Sequence, residues 1–148
     1  MRILVTADPF DQGAELSQFT ADGAGAVVSF MGVVRDDTGD LQALHIEHYP
    51  GMTEQALHDY AGQAKARFDL TNVLVIHRHG SLHVGEQIMM VATAARHRKA
   101  AFQGADFLMD YLKSRAPFWK KEMCHSGTHW VDAKDTDEDA LAQWDHPG

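Results

Sequence analysis

Three short apolar runs rich in β-branched residues, at 25–34, 73–77 and 87–93, constrain this chain more than any other feature. Each is too short for an independent helix, and β-branched side chains suit a pleated strand. Between and after them the periodicity changes. Leu57, Tyr60, Ala61, Ala64 and Phe68 fall on one helical stripe, and Ala101, Ala105, Leu108, Met109 and Leu112 on another. Strands interleaved with helices that each bury a single stripe predict an α+β chain in two packed layers.

Turn residues set the remaining boundaries. Residues 2–7 read as a short edge strand, followed by Pro9 and a weak helical turn over 14–20. Gly32 marks a bulge or a close backbone approach just before Arg35. The segment DDTGD at 36–40 is turn chemistry, and 41–49 alternates as a strand expected to pair with 25–34. Pro50-Gly51 ends it, and Thr53 is expected to cap the first long helix. Gly80 and Gly85 join the strands 73–77 and 87–93. The second helix is expected over 97–115, with Pro117 enforcing the stop. Residues 119–123 and 128–132 predict a hairpin around Ser126-Gly127. Thr136 with Asp139 predicts a capping box for an acidic tail helix ending near Trp144. With 148 residues and no repeat, low-complexity tract or linker, a single domain is expected.

Composition narrows the function. A lone cysteine, Cys124, excludes an internal disulfide and a Cys-rich zinc site. No apolar run reaches the ~20 residues of a membrane span, and the N-terminal residues lack a signal-peptide layout, so a cytoplasmic protein is expected. A net charge of −8 argues against a general nucleic-acid binder. Yet seven of the 13 basic residues lie between Arg96 and Lys121, where the only acids are Asp106 and Asp110. Such an island focuses field on a small anion or on an acidic partner tail; a solvated helix face is the competing account.

Individual residues sharpen these alternatives. His97, Arg98 and Lys99 occupy the expected first turn of the second helix, where cations oppose the helix dipole and free amides favour an anion. A bound phosphate or carboxylate resolves that conflict; side chains pointing to water tolerate it. Lys113 and Lys120 bracket Pro117, and the aromatics of APFWK (116–120) suit a partly desolvated ammonium that moves protons. Lys113 alone is also an ordinary dipole partner at a helix end. Arg35 stands at a strand end, as a functional side chain or as a surface partner of Asp36 and Asp37. His77, His79 and His83 share one face of an extended chain, but no Cys or carboxylate accompanies them in a ligand spacing. They read as solvated or hydrogen-bonded histidines, and no metal is expected. Neighbours in a strand face apart, so Cys124-His125 reads as incidental.

Several segments together resemble the large, catalytic subunit of molybdopterin synthase. They are GAVVSFMGVVR (25–35), EHYPGMTE (47–54), VIHRHG (75–80), His97-Arg98 followed by Ala101-Phe102, and MDYLKSRAPFWKKE (109–122). The last is the most specific, and the match runs from about Gly23 to Ala133 in the expected order. The resemblance implies an α/β-hammerhead-like core with an additional small antiparallel β subdomain. It implies a sulfurtransferase that converts cyclic pyranopterin monophosphate to molybdopterin by inserting the dithiolene sulfurs, with no cofactor of its own. The sulfur donor it implies is the C-terminal Gly-Gly thiocarboxylate of a small ubiquitin-like partner subunit, bound by a homodimer within a heterotetramer. By motif, Lys113 and Lys120 are the implied catalytic residues. Arg35, His97 and Arg98 are implied at the pterin phosphate, the His-Arg pair coming from the neighbouring subunit. Lys121, Glu122, Val33 and Val34 are implied to line the pocket. Val33 stands where family members often carry Lys, and Met31 and Met123-Cys124-His125 also depart from the pattern. The reading from another class is a non-catalytic module that docks an acidic partner tail on the basic island. A phosphate-ester enzyme using the same pocket, with no protein sulfur donor, is the third.

Overall fold

The computed structural model describes residues 1–131 and 135–145, the side chains at 135 and 136 excepted. The strands are β1 (Arg2–Thr6), β2 (Ala26–Val33), β3 (Leu41–His48), β4 (Leu70–Arg78), β5 (Gly80–His83), β6 (Gln87–Ala95), β7 (Phe118–Cys124) and β8 (Gly127–Trp130). The helices are α1 (Gln12–Gln18), α2 (Met52–Arg67), α3 (Arg98–Ser114) and α4 (Asp135–Ala142), the last running into a 3-10 turn at Gln143–Asp145.

Two four-stranded sheets form. The first has the order β1-β4-β6-β2, with β1 parallel to β4 and the other pairs antiparallel. The second, β5-β3-β7-β8, is antiparallel throughout. β4 and β6 are central and buried on both faces, which is why their sequences are continuously apolar rather than alternating. On one face Val73, Val75 and Val91 pack against the stripes of α2 and α3, including Leu57, Ala61, Leu108 and Leu112. On the other, Leu74, Ile76 and Met90 are covered by Leu16, Phe19 and Phe10 in and around α1.

The helix stripes fall where the periodicity places them. α2 buries Leu57, Ala61 and Ala64; α3 buries Ala101, Ala105, Leu108 and Leu112, with Gly104 and Phe107 added. Gly104 is there because a Cβ would stand 2.7 Å from Leu70 Cδ1. β1 is an edge strand, as expected. At Gly32 the structure has both a register shift and a tight approach, since a Cβ would meet Met89 Cγ at 3.3 Å.

Three local expectations are corrected. Residues 41–48 pair with β5 and β7, not with β2, because the bulge at Gly32/Val33 and the following turn carry the chain out of the first sheet into the second. Gly51, not Thr53, is the N-cap of α2, its amide donating to the Glu54 carboxylate at 2.6 Å. Thr53 is instead fully buried and accepts from the Tyr49 amide while donating to the Pro117 carbonyl. His77 and His83 lie on strands of different sheets and share no face, because Gly80 diverts the chain into β5. The Thr136 cap, and the end of the expected strand at Asp132, lie outside the described residues and side chains.

Candidate active site

β2 ends, the 35–37 loop begins, α3 ends and β7 starts around one cavity of about 780 Å³ between the two sheets. That volume suits a bicyclic or tricyclic small molecule. Its apolar walls include Val34, Leu44, Ile88 and Met109, and its charged groups are Arg35, Asp36, Asp37, Lys113, Lys120 and Glu122.

Each charged side chain arrives for a local reason. Lys113 lies in the last turn of α3, where a cation complements the helix dipole. The helix closes with Arg115 N–H donating to Tyr111 O at 2.8 Å, and Pro117 turns the chain into β7. Lys120 and Glu122 then alternate onto one face of β7. The two lysines therefore come from different layers, joined by a turn whose Pro117 carbonyl accepts from Thr53 Oγ1 at 3.0 Å. Arg35 follows the Gly32 bulge and pairs with Asp37 at 2.8 Å. Asp36 is engaged by its own turn. Against the raising effect of desolvation, N–H donors from Thr38, Leu41 and Gly39 hold its carboxyl below the usual range.

Of the residues singled out from sequence, Val33, Val34, Arg35, Lys113, Lys120 and Glu122 line this one cavity. Lys121 does not. It alternates onto the opposite face of β7, and its ammonium stands 4.5 Å from the centroid of the Trp130 ring. His97 and Arg98 are exposed at the other end of α3, about 22 Å from Lys113 along a helix rising 1.5 Å per residue. The basic island of the sequence is thus divided by its own helix, and Arg115 is taken up by Glu138. The N-terminus of α3 carries no side-chain cap and no acidic residue in its first turn.

Sequence reasoning read His77 as a solvated or hydrogen-bonded histidine and did not place it in the cavity. It lines the cavity from β4, is 3% exposed, and stacks on Phe118 with ring centroids 3.8 Å apart. Its Nδ1 lies 2.8 Å from the Arg78 carbonyl, which only accepts, so the ring carries its proton on Nδ1. Burial pushes its pKa down to about 3, with the Lys120 charge acting in the same direction. Its one signal was the apolar run 73–76 that leads directly into it. Arg78 is also buried and anchors the neighbouring loop through Glu86, Gln87 O and Ala7 O. The His83 backbone N–H, followed by the Arg78 side chain, holds the Glu86 carboxyl below its ordinary value despite some desolvation.

Among the described residues one group has donor atoms close enough to hold a metal: Glu122, Cys124 and His129 on the β7–β8 hairpin. The thiol is pushed up by burial and by the carboxylates of Asp40, Glu122 and Asp36. No helix among those residues is long and apolar enough to cross a membrane.

The two-sheet architecture, with lysines from either side of a proline turn lining a mixed polar and apolar cavity, defines a small-molecule enzyme class of α+β fold. A family model described as "MoaE protein" matches residues 5–115, and the chain belongs to that family. It is 60% identical over 146 residues to the molybdopterin synthase catalytic subunit of Cereibacter sphaeroides, covering 97% of this chain and 100% of that one. The molybdopterin biosynthesis MoaE protein from Burkholderia ambifaria superposes with a TM-score of 0.84 at 46% identity, covering 98% of each chain. A chain from the protein–protein complex of subunits 1 and 2 of molybdopterin-converting factor from Helicobacter pylori gives a TM-score of 0.73. It covers 90% of each chain and, at 20% identity, speaks for the fold alone.

Proposed function

We propose that this chain is the catalytic subunit of a molybdopterin synthase. It is a cytoplasmic sulfurtransferase that converts cyclic pyranopterin monophosphate to molybdopterin with sulfur from the C-terminal thiocarboxylate of a small ubiquitin-like partner. The observation that carries the reading is the meeting of Lys113 and Lys120, from two layers of the fold, in one cavity with Arg35. The apolar walls suit a flat pterin, and the cations suit its phosphate and the anionic donor tail. Lys113 and Lys120 stabilise the oxyanion that develops at the attacked centre and relay protons. Arg35 binds at the phosphate, and Val33, Val34 and Glu122 shape the wall. Lys121, on the outer face of β7, acts on the pocket only through the strand it shares with Lys120.

His97 and Arg98 stand too far from Lys113 to serve the same cavity, so their role belongs to a neighbouring copy in a homodimer. The uncapped start of α3 supports an anion there, since its free amides and cations are complementary to a phosphate. A module that only docks an acidic tail needs no cavity with apolar walls, and the separation of the basic residues along α3 weakens it further. The test supplies thiocarboxylated partner and pterin substrate. Lys113→Ala is expected to abolish dithiolene product while the partner still binds. Turnover at the wild-type rate in that variant overturns the catalytic assignment, and product without any protein sulfur donor overturns the sulfurtransferase reading.

A further inference from the structure

The β7–β8 hairpin places three unlike donor groups together at the rim of the cavity. Its antiparallel register sets Glu122 directly opposite His129 and Cys124 opposite Gly127. Glu122 and Cys124 are two residues apart on one strand and therefore share a face. A carboxylate oxygen, an imidazole nitrogen and the thiol sulfur all lie within 4.8 Å of one another, with His129 Nε2 3.5 Å from Glu122 Oε2. In a tetrahedral zinc site, with bonds of about 2.0–2.3 Å, ligand atoms stand roughly 3.3–3.7 Å apart. The His129–Glu122 separation already falls within that range, and the 4.8 Å limit on the group exceeds it by about an ångström.

The surroundings fit a cation. The His129 side chain is 62% exposed and has room to turn, while the hairpin pairing holds the backbone beneath it. Asp40 and Asp36 add negative charge that acts on Cys124. Asp40 also accepts from Ser126 in the hairpin turn, which fixes its carboxylate beside the cluster. His125 is not part of the group: its Nδ1 is 3.1 Å from Gln42 Nε2 on β3. Sulfur, nitrogen and one oxygen select a borderline metal over a hard one such as Mg²⁺ or Ca²⁺.

We propose that Glu122, Cys124 and His129 form a binding site for a divalent metal of the Zn²⁺ class, with its fourth position open. The metal binds the thiolate and the thiol proton passes to solvent. Glu122 also lines the cavity, so occupancy draws its carboxylate toward the hairpin and sets a dication at the cavity rim. The site stands independently of the sulfur-transfer reading.

Cobalt(II) added to the full chain under a non-thiol reductant tests it. Cys124 is the only cysteine, so any cobalt–thiolate charge-transfer band belongs to it. One equivalent is expected to produce that band, with the visible intensity of a four-coordinate site, and Zn²⁺ is expected to displace it. Cys124→Ser is expected to remove the band, and His129→Ala to weaken binding by at least about tenfold. No band at stoichiometric cobalt overturns the proposal, as do a band that survives Cys124→Ser, unchanged affinity in His129→Ala, or a half-equivalent stoichiometry from a metal bridging two chains. None of these readouts involves sulfur transfer, so failure here leaves the proposed function standing, and the converse holds.

Discussion

His77 offers a direct measurement of how dry the cavity floor is. His77→Asn removes the titrating ring but leaves an N–H donor near the position of Nδ1, so the bond to the Arg78 carbonyl has a replacement. In the native protein the ring's pKa is about 3, set first by burial and then by Lys120 and neighbouring histidines against the opposing Arg78 bond. An unfolded chain restores it to about 6.5. The native pKa is depressed, so the unfolded state takes up the proton first as pH falls. The ring's contribution is therefore complete above about pH 6.5 and is lost progressively toward pH 3. At 1.36 kcal/mol per pH unit, acidification from about 6.5 to about 5 removes about 2 kcal/mol through this ring alone. Urea unfolding followed by tryptophan fluorescence at about pH 7.5 and about pH 5 measures it. His77→Asn is expected to be less stable at the higher pH, having lost the stack on Phe118. Across the interval it should lose about 2 kcal/mol less than the parent chain. Carboxylates held low by their partners, such as Glu86 and Glu138, are common to both proteins and cancel in the comparison. Equal losses refute the neutral, desolvated ring.

Other perturbations probe the joint and the core. Thr53→Val keeps shape but orphans the Tyr49 amide and the Pro117 carbonyl, and is expected to cost about 1–3 kcal/mol in chemical denaturation, with Thr53→Ser recovering most of it. Gly25→Ala sets a Cβ 2.4 Å from the Arg96 carbonyl, a backbone atom, and is expected to destabilise by about 1–3 kcal/mol, read as a lower Tm. Leu108→Ala empties a fully buried position between α3 and the first sheet and is expected to cost about 2–5 kcal/mol in the same assay. Mixing inactive Arg98→Ala and Lys113→Ala chains is expected to restore partial turnover, because in a mixed dimer one cavity then has every group intact; no recovery refutes a role for Arg98 across the subunit boundary.

Periodicity made the elements legible, because each strand and helix buries a face whose spacing is local. The α3 stripe, the Pro117 stop and the Gly32 bulge all express constraints that act within a few residues. Strand partnership was not legible in the same way. The alternation of 41–48 matches any sheet with one open face, and only the direction of the chain after Gly32 decides between β2 and β7. Thr53 illustrates the same gap at a single residue. A threonine before a helical stripe fits an N-cap, and nothing nearby signals that a carbonyl 64 positions away will claim its hydroxyl. The site divided along the same line. Lys113 and Lys120 were readable from one motif, whereas Lys121, inside the same motif, was carried to the other face of β7 by strand alternation; the separation of His97 and Arg98 from Lys113 along α3 accords with their expected place across a subunit boundary.

That division bears on what the cavity selects. Its formal charges are three cations and three carboxylates, so a strong uniform field is not what attracts a ligand. Asp36 is committed to the amides of its own turn and Asp37 to Arg35, which leaves the charge pattern to depend on where Lys113, Lys120 and Glu122 are held. Lys113 is placed by the packing of α3 on the first sheet, and Lys120 and Glu122 by the pairing of β7 with β3 in the second. The spacing of these groups is therefore set by how the two sheets sit against each other, and the Thr53–Pro117 contact ties the start of α2 to the turn that leads into β7. Repacking far from the cavity, along either sheet, is expected to change the spacing of the lysines with the identity of every cavity residue unchanged.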